Sequence, residues 1–205
     1  MSLFEDTYYT VAQASEGIFR DKGSKFIAYV YPFEDESNLK DIIATLKSQH
    51  PKARHHCWAY RLSPDRTVFR VNDDGEPSGT AGRPILNVLL SKELTNVLIV
   101  VVRYFGGTLL GVPGLINAYK SATVEALEQA DIVERTVQDV YEVHFDYVQM
   151  NDVMRVIKEE EVQVLAQQFD NRCVIRFGIR KMLVNAVVDK FHNIVDVRTQ
   201  YLYTI

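Results

Sequence analysis

The sequence predicts an α+β protein built from two domains, residues 1–133 and 134–205. Short apolar strands alternate with amphipathic stretches, and the length of 205 residues is comfortable for two small domains. Seven of the ten glycines lie between residues 75 and 114, whereas the chain beyond residue 133 has only Gly178. Because glycine is kept where a backbone needs positive φ or close approach, this concentration marks one region of the first domain as unusual.

The first elements are a hairpin and a helix. One strand ends near Phe19, residues 21–24 form the turn, and residues 25–33 run back along the first strand. Apolar residues at helical spacing follow Ser37, a residue type that often caps helices, and Pro51 ends this pattern. We therefore expect the helix to lie between the hairpin and the next strands.

The rest of the first domain holds two glycine-rich loops. Strands at residues 54–62 and 67–71 precede the first loop, and a short helix follows it. The run NVLIVVVRY, residues 96–104, is apolar without alternation, which is typical of a central strand buried on both faces. The second loop, residues 105–114, leads into a long helix that ends near Asp131.

The second domain has a simple order of elements. It reads as strand 139–147, helix 150–160, strand 162–169, strand 171–180, helix 182–193 and strand 195–204. This β-α-β-β-α-β order is that of ferredoxin-like domains.

Composition and charge limit the possible functions. The net charge is −4, shared almost equally between the two domains, so RNA binding would require a local basic patch. Cys57 and Cys173 lie in different domains and outside any CxxC pair, which indicates a reducing compartment. The longest apolar run, residues 97–102, is too short to cross a bilayer, and the first residues do not resemble a secretory signal. We expect a cytoplasmic protein without a membrane partner.

The first loop, DDGEPSGTAGRP (residues 73–84), combines groups that suit an anion. It opens a helix, whose unpaired backbone N–H groups attract negative charge. Ser78, Thr80 and Arg83 add further donors, and Arg83 is suited to a bidentate phosphate contact. No lysine follows the glycines, so the loop is not a Walker A motif. A simple helix-capping turn remains an equally good interpretation of these residues.

The same loop offers a weaker metal hypothesis. Asp73, Asp74 and Glu76 carry the oxygen ligands that Mg²⁺ prefers. Their spacing does not match an EF-hand, and acidic residues in turns are usually solvated. No cofactor is expected.

The second loop, FGGTLLGVPG, lies between a buried strand and a helix, as dinucleotide-binding loops do. Its spacing is not GxGxxG, so a Rossmann interpretation is rejected. Arg103 and Tyr104 end the strand and are candidates for ligand contact, although Arg103 could instead pair with an acid of the first loop.

The sequence His55-His56-Cys57 invites a zinc or nucleophile hypothesis. Neighbours on a strand point to opposite faces, so His55 and Cys57 supply only two ligands on one face. Zinc needs three or four, and a cysteine nucleophile needs an oriented base. We expect Cys57 in the core and one histidine at a cleft.

Taken together, the segments GSKFIAYV, ARHHCWAYR, DDGEPSGTAGRPIL and VVVRYFGGTLLGVPGLINAY resemble the Impact/YigZ family over about residues 15–130. The resemblance implies a ribosomal protein S5 domain 2-like fold for the first domain. It implies a ferredoxin-like second domain similar to a module of elongation factor G. Eukaryotic members of the family regulate translation under amino-acid stress, which suggests a role in translation here.

The resemblance and the loop chemistry together give a set of candidate residues for binding RNA or another anion. They are His56, Ser78, Gly79, Thr80, Gly82, Arg83, Arg103, Tyr104, Gly106, Gly107, Gly111 and Gly114. The leading hypothesis is a non-catalytic protein that binds RNA or the ribosome and modulates translation. The alternatives are a Mg-dependent enzyme acting on a small phosphorylated or nucleotide substrate, and an adaptor for a protein partner in translation control.

Overall fold

The computed structural model describes residues 6–170 and 172–205. Its strands and helices are, in chain order, β1 (Thr7–Val11), β2 (Ser15–Asp21), β3 (Ser24–Pro32), α1 (Leu39–Gln49), β4 (His55–Leu62), β5 (Val68–Asn72), α2 (Gly82–Ser91), β6 (Val97–Tyr104), α3 (Gly111–Glu128), β7 (Ile132–Thr136), β8 (Gln138–Phe145), α4 (Met150–Glu159), β9 (Gln163–Phe169), β10 (Cys173–Arg180), α5 (Val184–His192) and β11 (Arg198–Thr204).

The chain divides into two compact units. The first unit is Tyr8–Arg135, and the second is Thr136–Ile205 together with Asp6 and Thr7. The α+β fold class predicted from the sequence is confirmed by this arrangement of helices and sheets. The expected boundary at residue 133 stays a prediction, and the grouping of Asp6 with the second unit was not foreseen.

The first unit is built on a five-stranded antiparallel sheet in the order β2-β3-β6-β4-β5. The apolar run of β6 lies at its centre, where Val97–Val102 are fully buried. One face packs against α2 and α3, and the other packs against α1. Both faces of β6 are therefore covered, which explains why its apolar pattern is continuous.

The sheet has a tight backbone contact at one edge strand and an exposed strand at the other edge. Gly17 lies where β2 meets α3, and a Cβ atom there would come within 2.3 Å of the Ala126 nitrogen. Strand β5 lies at the sheet edge with every residue exposed, including Phe69 and Val71. The Arg70 guanidinium between them makes an ion pair with Glu36 at 3.0 Å.

The second unit has a four-stranded antiparallel sheet in the order β11-β8-β10-β9. Numbered within the unit, this order is 4-1-3-2, which agrees with the ferredoxin-like arrangement predicted from the βαββαβ pattern. Helices α4 and α5 cover one face through a core that includes Ile175, Phe177 and Phe191.

A separate two-stranded sheet joins β1 to β7. The sequence interpretation missed both strands, because each is only five residues long and lacks a clear alternation of apolar residues. Within the described part of the chain, no helix is both long and apolar enough to cross a membrane.

Candidate functional site

The first glycine-rich loop folds around the carboxylate of Asp73. Its Oδ1 accepts hydrogen bonds from the backbone nitrogens of Gly82 at 2.8 Å and Ala81 at 3.0 Å, and its Oδ2 accepts one from Gly79 at 2.8 Å. These N–H groups belong to the loop and to the first turn of α2. Asp73 therefore caps the helix from nine residues upstream.

This cap changes the interpretation of the loop as an anion cradle. The N-terminus of α2 does attract negative charge, as expected, but the charge is supplied by Asp73. The backbone N–H groups of Gly79 and Gly82, predicted as anion donors, are used inside the loop. We therefore assign Gly79 and Gly82 a structural role in the loop rather than a role in anion binding.

The remaining candidates in this loop separate into buried and exposed groups. Thr80 is buried and donates its hydroxyl hydrogen to the Pro77 carbonyl oxygen at 2.6 Å. At Gly82 a Cβ atom would come within 2.9 Å of the Asn72 nitrogen, so a side chain would separate α2 from β5. Only Ser78 and Arg83 stay exposed and free to meet a ligand.

Glu76 directs its side chain into the protein. The Arg103 Nη1 atom donates to Glu76 Oε1 at 2.6 Å, and the Tyr119 hydroxyl donates to the same oxygen at 2.8 Å. The side chains of Glu76 and Arg103 are only 3% and 7% exposed. The prediction that Arg103 meets phosphates is corrected, because Glu76 neutralises the charge of Arg103 inside the first unit.

The Arg103 guanidinium is also held between two aromatic rings. Its carbon lies 5.5 Å from the centroid of Phe26 and 5.7 Å from that of Phe105, within the range of cation–π attraction. A buried charge is costly unless it is paired and hydrogen-bonded, as this one is. Arg103 thus fixes the end of β6 to the first loop.

Cys57 belongs to the same buried network. Its Sγ atom lies 3.0 Å from the Asp73 carbonyl oxygen and 3.2 Å from the Tyr119 hydroxyl, so the single S–H donates to one of them at a time. Burial raises the pKa of the Cys57 thiol and of the Tyr119 phenol far above their usual ranges. Neither group is ionised at neutral pH, which excludes a thiolate nucleophile here.

Asp74 organises the two histidines of β4. Its Oδ2 accepts a hydrogen bond from the His56 backbone nitrogen at 2.7 Å, and its carbonyl oxygen lies 2.9 Å from His55 Nδ1. His56 is buried, and burial lowers the pKa of its imidazole. The predicted role of His56 at the edge of a binding surface is revised, because its ring lies inside the fold.

The three loop carboxylates therefore have three different functions. Asp73 caps a helix, Asp74 contacts β4, and Glu76 pairs with Arg103. Across residues 6–170 and 172–205, no group of three or more His, Cys, Asp or Glu side chains is arranged to hold a metal ion. This arrangement gives the weak metal hypothesis for the loop no support.

Tyr104 is half-buried at the end of β6 and belongs to a short chain of hydrogen bonds. The His50 Nδ1 atom is 2.8 Å from the Tyr104 hydroxyl, and His50 Nε2 is 2.8 Å from the Tyr29 hydroxyl. Burial, with a smaller contribution from Lys25, lowers the pKa of His50, so the imidazole is neutral at pH 7. Sequence reasoning missed Tyr29 and His50, since Tyr29 lies in β3, His50 follows α1 and Tyr104 ends β6, so the three are distant in sequence.

The second glycine-rich loop packs tightly against the β2–β3 hairpin. A Cβ atom at Gly106 would come within 2.0 Å of the Gly23 carbonyl carbon, and the Gly106 nitrogen donates to the Ser24 hydroxyl at 3.1 Å. Gly107 and Gly111 have positive φ angles of 89° and 70°. At these three positions the glycines serve the shape of the loop rather than a ligand.

This packing leaves an exposed surface that we call the hairpin–FGG surface. It consists of the exposed Arg20 and Lys22 of the hairpin, the half-buried Lys25, and Phe105, which is 54% exposed. Within the described ranges, none of the three cations makes an ion pair with an acid. Asp21 lies in the same turn, so the net charge of the surface is about two positive units.

The fold and this surface define a two-domain α+β protein whose polar motif residues mostly stabilise the scaffold. A family model, the Impact N-terminal domain, matches residues 22–127. An IMPACT family member from Haemophilus influenzae is 35% identical over 167 residues, covering 80% of this chain and 81% of that protein. The IMPACT family member YvyE from Bacillus subtilis is 36% identical over 155 residues, covering 76% and 71%.

A solved structure agrees with these relatives. The crystal structure of a hypothetical protein matches with a TM-score of 0.75 and 25% sequence identity, covering 98% of this chain and 99% of that chain. The similarity therefore extends over both units. The chain belongs to the IMPACT family.

Proposed function

We propose that this protein is a non-catalytic cytoplasmic member of the IMPACT family that binds RNA on the ribosome and modulates translation. The family relationship supports a role in translation, because eukaryotic members of the family are expected to regulate translation. The cysteine usage, which suits a reducing compartment, supports a cytoplasmic location.

The hairpin–FGG surface is the observation that carries the proposal. Arg20 and Lys25 face each other across the hairpin, and the loop that carries Phe105 packs on the hairpin turn, where Gly106 meets Gly23. Unpaired cations on the hairpin and an exposed aromatic ring on the adjoining loop suit single-stranded RNA, whose bases stack and whose phosphates need neutralising. A local patch of this kind agrees with a protein that is acidic overall.

The first loop offers two further exposed candidates, Ser78 and Arg83. Arg83 lies in the first turn of α2 and makes no ion pair with any described acid. Its planar guanidinium is suited to a phosphate, and Ser78 offers a neutral donor nearby in the chain. Arg103 has no part in the binding, because its side chain is buried against Glu76.

The Mg-dependent enzyme considered from the sequence has little support. Its three carboxylates hold a helix, a strand and an arginine, and the buried Cys57 thiol is protonated. General acid–base chemistry requires a titratable group with access to a substrate. Among the described residues of the two loops, the polar groups that reach the surface are suited to binding.

The salt dependence of ribosome binding tests the proposal. With Arg20, Lys22, Lys25 and Arg83 each neutralising one phosphate, the affinity should fall about 50-fold between 50 and 200 mM KCl. Purified protein would be sedimented with ribosomes across this salt range. The variant Lys22→Ala/Lys25→Ala should bind more weakly and show about half the salt slope.

A matched control is available in the same unit. Lys40→Ala/Lys92→Ala removes the same charge from exposed positions elsewhere and should bind like the unmodified protein. Phe105→Ala should weaken binding without changing the salt slope, because stacking is uncharged. Binding that ignores salt would contradict the RNA contact and favour a protein partner. No sedimentation at 50 mM KCl would refute the proposal.

A further inference from the structure

The second unit contains a cleft that the proposed function does not use. It has a volume of about 230 Å³ and is lined by His144, Phe145, Asp146, Arg172, Asp196 and Arg198. It lies at the end of the sheet where β8 finishes and where β10 and β11 begin, since Cys173 pairs with Phe145 and Arg198 pairs with His144.

The charges in this cleft are balanced but not paired. Arg172 and Arg198 supply two cations, and Asp146 and Asp196 supply two anions. Within the part of the chain that the structure describes, none of these four side chains makes an ion pair. Elsewhere in the same unit arginines do find acids, such as Arg176 with Glu142 at 2.7 Å.

The strand order separates the two arginines of the cleft. Arg172 directly precedes β10, and Arg198 begins β11, so the two cations lie on either side of the central strand β8. Asp146 and Asp196 lie in the turns that close the same end of the sheet. The four charged side chains are exposed, and the Asp146 carboxylate also takes part in a capping box with Gln149. The cleft between them leaves room for a ligand that carries both signs of charge.

We propose that this cleft binds a free α-amino acid, with its carboxylate between Arg172 and Arg198 and its ammonium group against Asp146 and Asp196. The two arginines offer the forked N–H groups that match a carboxylate. The aspartates match an ammonium group, which donates three hydrogen bonds and accepts none. This inference concerns the second unit alone and does not depend on ribosome binding.

The size of the cleft supports a small zwitterion. Its 230 Å³ hold roughly eight water-sized groups, and this volume lies below the range typical of drug-sized ligands. A phosphate alone would leave Asp146 and Asp196 facing another anion. A cation alone would leave the two arginines facing another cation.

Calorimetric titration of the full chain with each of the standard amino acids tests this proposal. We expect at least one of them to bind with a 1:1 stoichiometry. Its amide, which lacks the carboxylate, and its N-acetyl derivative, which lacks the ammonium group, should each bind about tenfold to hundredfold more weakly. Inorganic phosphate serves as the simple anion for comparison.

Exposed side chains of the cleft allow clean variants. Arg198→Gln and Asp196→Asn should each weaken the bound amino acid by about tenfold or more. The control Asp152→Asn/Arg155→Gln removes an exposed ion pair of α4 and should leave binding unchanged. Binding of phosphate without any amino acid would overturn the proposal in favour of an anion site. The absence of any amino-acid binding at millimolar concentration would overturn it as well.

Discussion

Removing the Asp73 carboxylate should destabilise the first unit, because this side chain holds the loop and caps α2. In Asp73→Ala the N–H groups of Ala81 and Gly82 are buried and lose their acceptor, while that of Gly79 is exposed and turns to water. Each buried donor left unpaired costs about 1–3 kcal/mol. The free energy of unfolding should therefore fall by about 2–6 kcal/mol.

The variant Asp73→Asn gives a graded comparison. An asparagine keeps one carbonyl oxygen, which can replace Oδ1 and accept from Ala81 and Gly82. It loses the negative charge and the bond from Gly79. We expect a smaller loss, about 1–2 kcal/mol.

Urea unfolding followed by tryptophan fluorescence is a suitable assay. The protein has one tryptophan, Trp58 in β4, so the signal reports the first unit. This matters because a chain of two units need not unfold in a single transition. Asp41→Ala, an exposed acid in the first turn of α1, is the matched control and should cost less than about 1 kcal/mol.

The reasoning would fail if Asp73→Ala unfolded at the same urea concentration as the unmodified protein. It would also fail if Asp73→Ala gained affinity for phosphate without losing stability. That result would mean that the helix N-terminus is an anion site which Asp73 merely blocks.

The remaining predictions concern the buried groups of the two units. Cys57 and Cys173 are both buried, so a thiol reagent should modify neither in the folded protein and both in urea, as absorbance would report. Glu76→Gln should cost about 3–5 kcal/mol by leaving Arg103 unpaired, and the double variant with Arg103→Met should lose less than the sum of the single variants in urea unfolding. Burial lowers the pKa of His56 in the folded protein below its usual value of 6.5. Between the pKa of the folded protein and 6.5, the unfolded chain therefore binds more protons than the folded protein does. Stability should therefore be complete above about pH 6.5 and fall as the pH drops through this window, and His56→Gln should reduce that fall.

The sequence was sufficient for features that depend on periodicity. The unbroken apolar run of β6 predicted a central strand, and the order of elements predicted the ferredoxin-like unit. Both signals arise from burial along a single element, which a local pattern records directly. Glycine density likewise located the two loops, although it did not say what approaches each glycine.

Side-chain partners were harder to predict because they depend on contacts distant in sequence. The three acids of DDGEPSG look equivalent in the sequence, yet Asp73 and Glu76 face different partners. Arg103 could have met a phosphate or an acid, and only the pairing of β4 with β6 beside the loop decides between them. Tyr119 enters the network from α3, which no spacing rule connects to Cys57.

The exposed edge strand β5 has a consequence for the behaviour of the protein in concentrated solution. Its outer N–H and C=O groups and its apolar residues Phe69 and Val71 offer a template to which another chain could add. Arg70 interrupts this template with a charge, because any strand added alongside would have to accommodate the guanidinium. The Glu36 carboxylate lies 3.0 Å from that guanidinium, so a strand added at this edge would meet an ion pair as well as the charge.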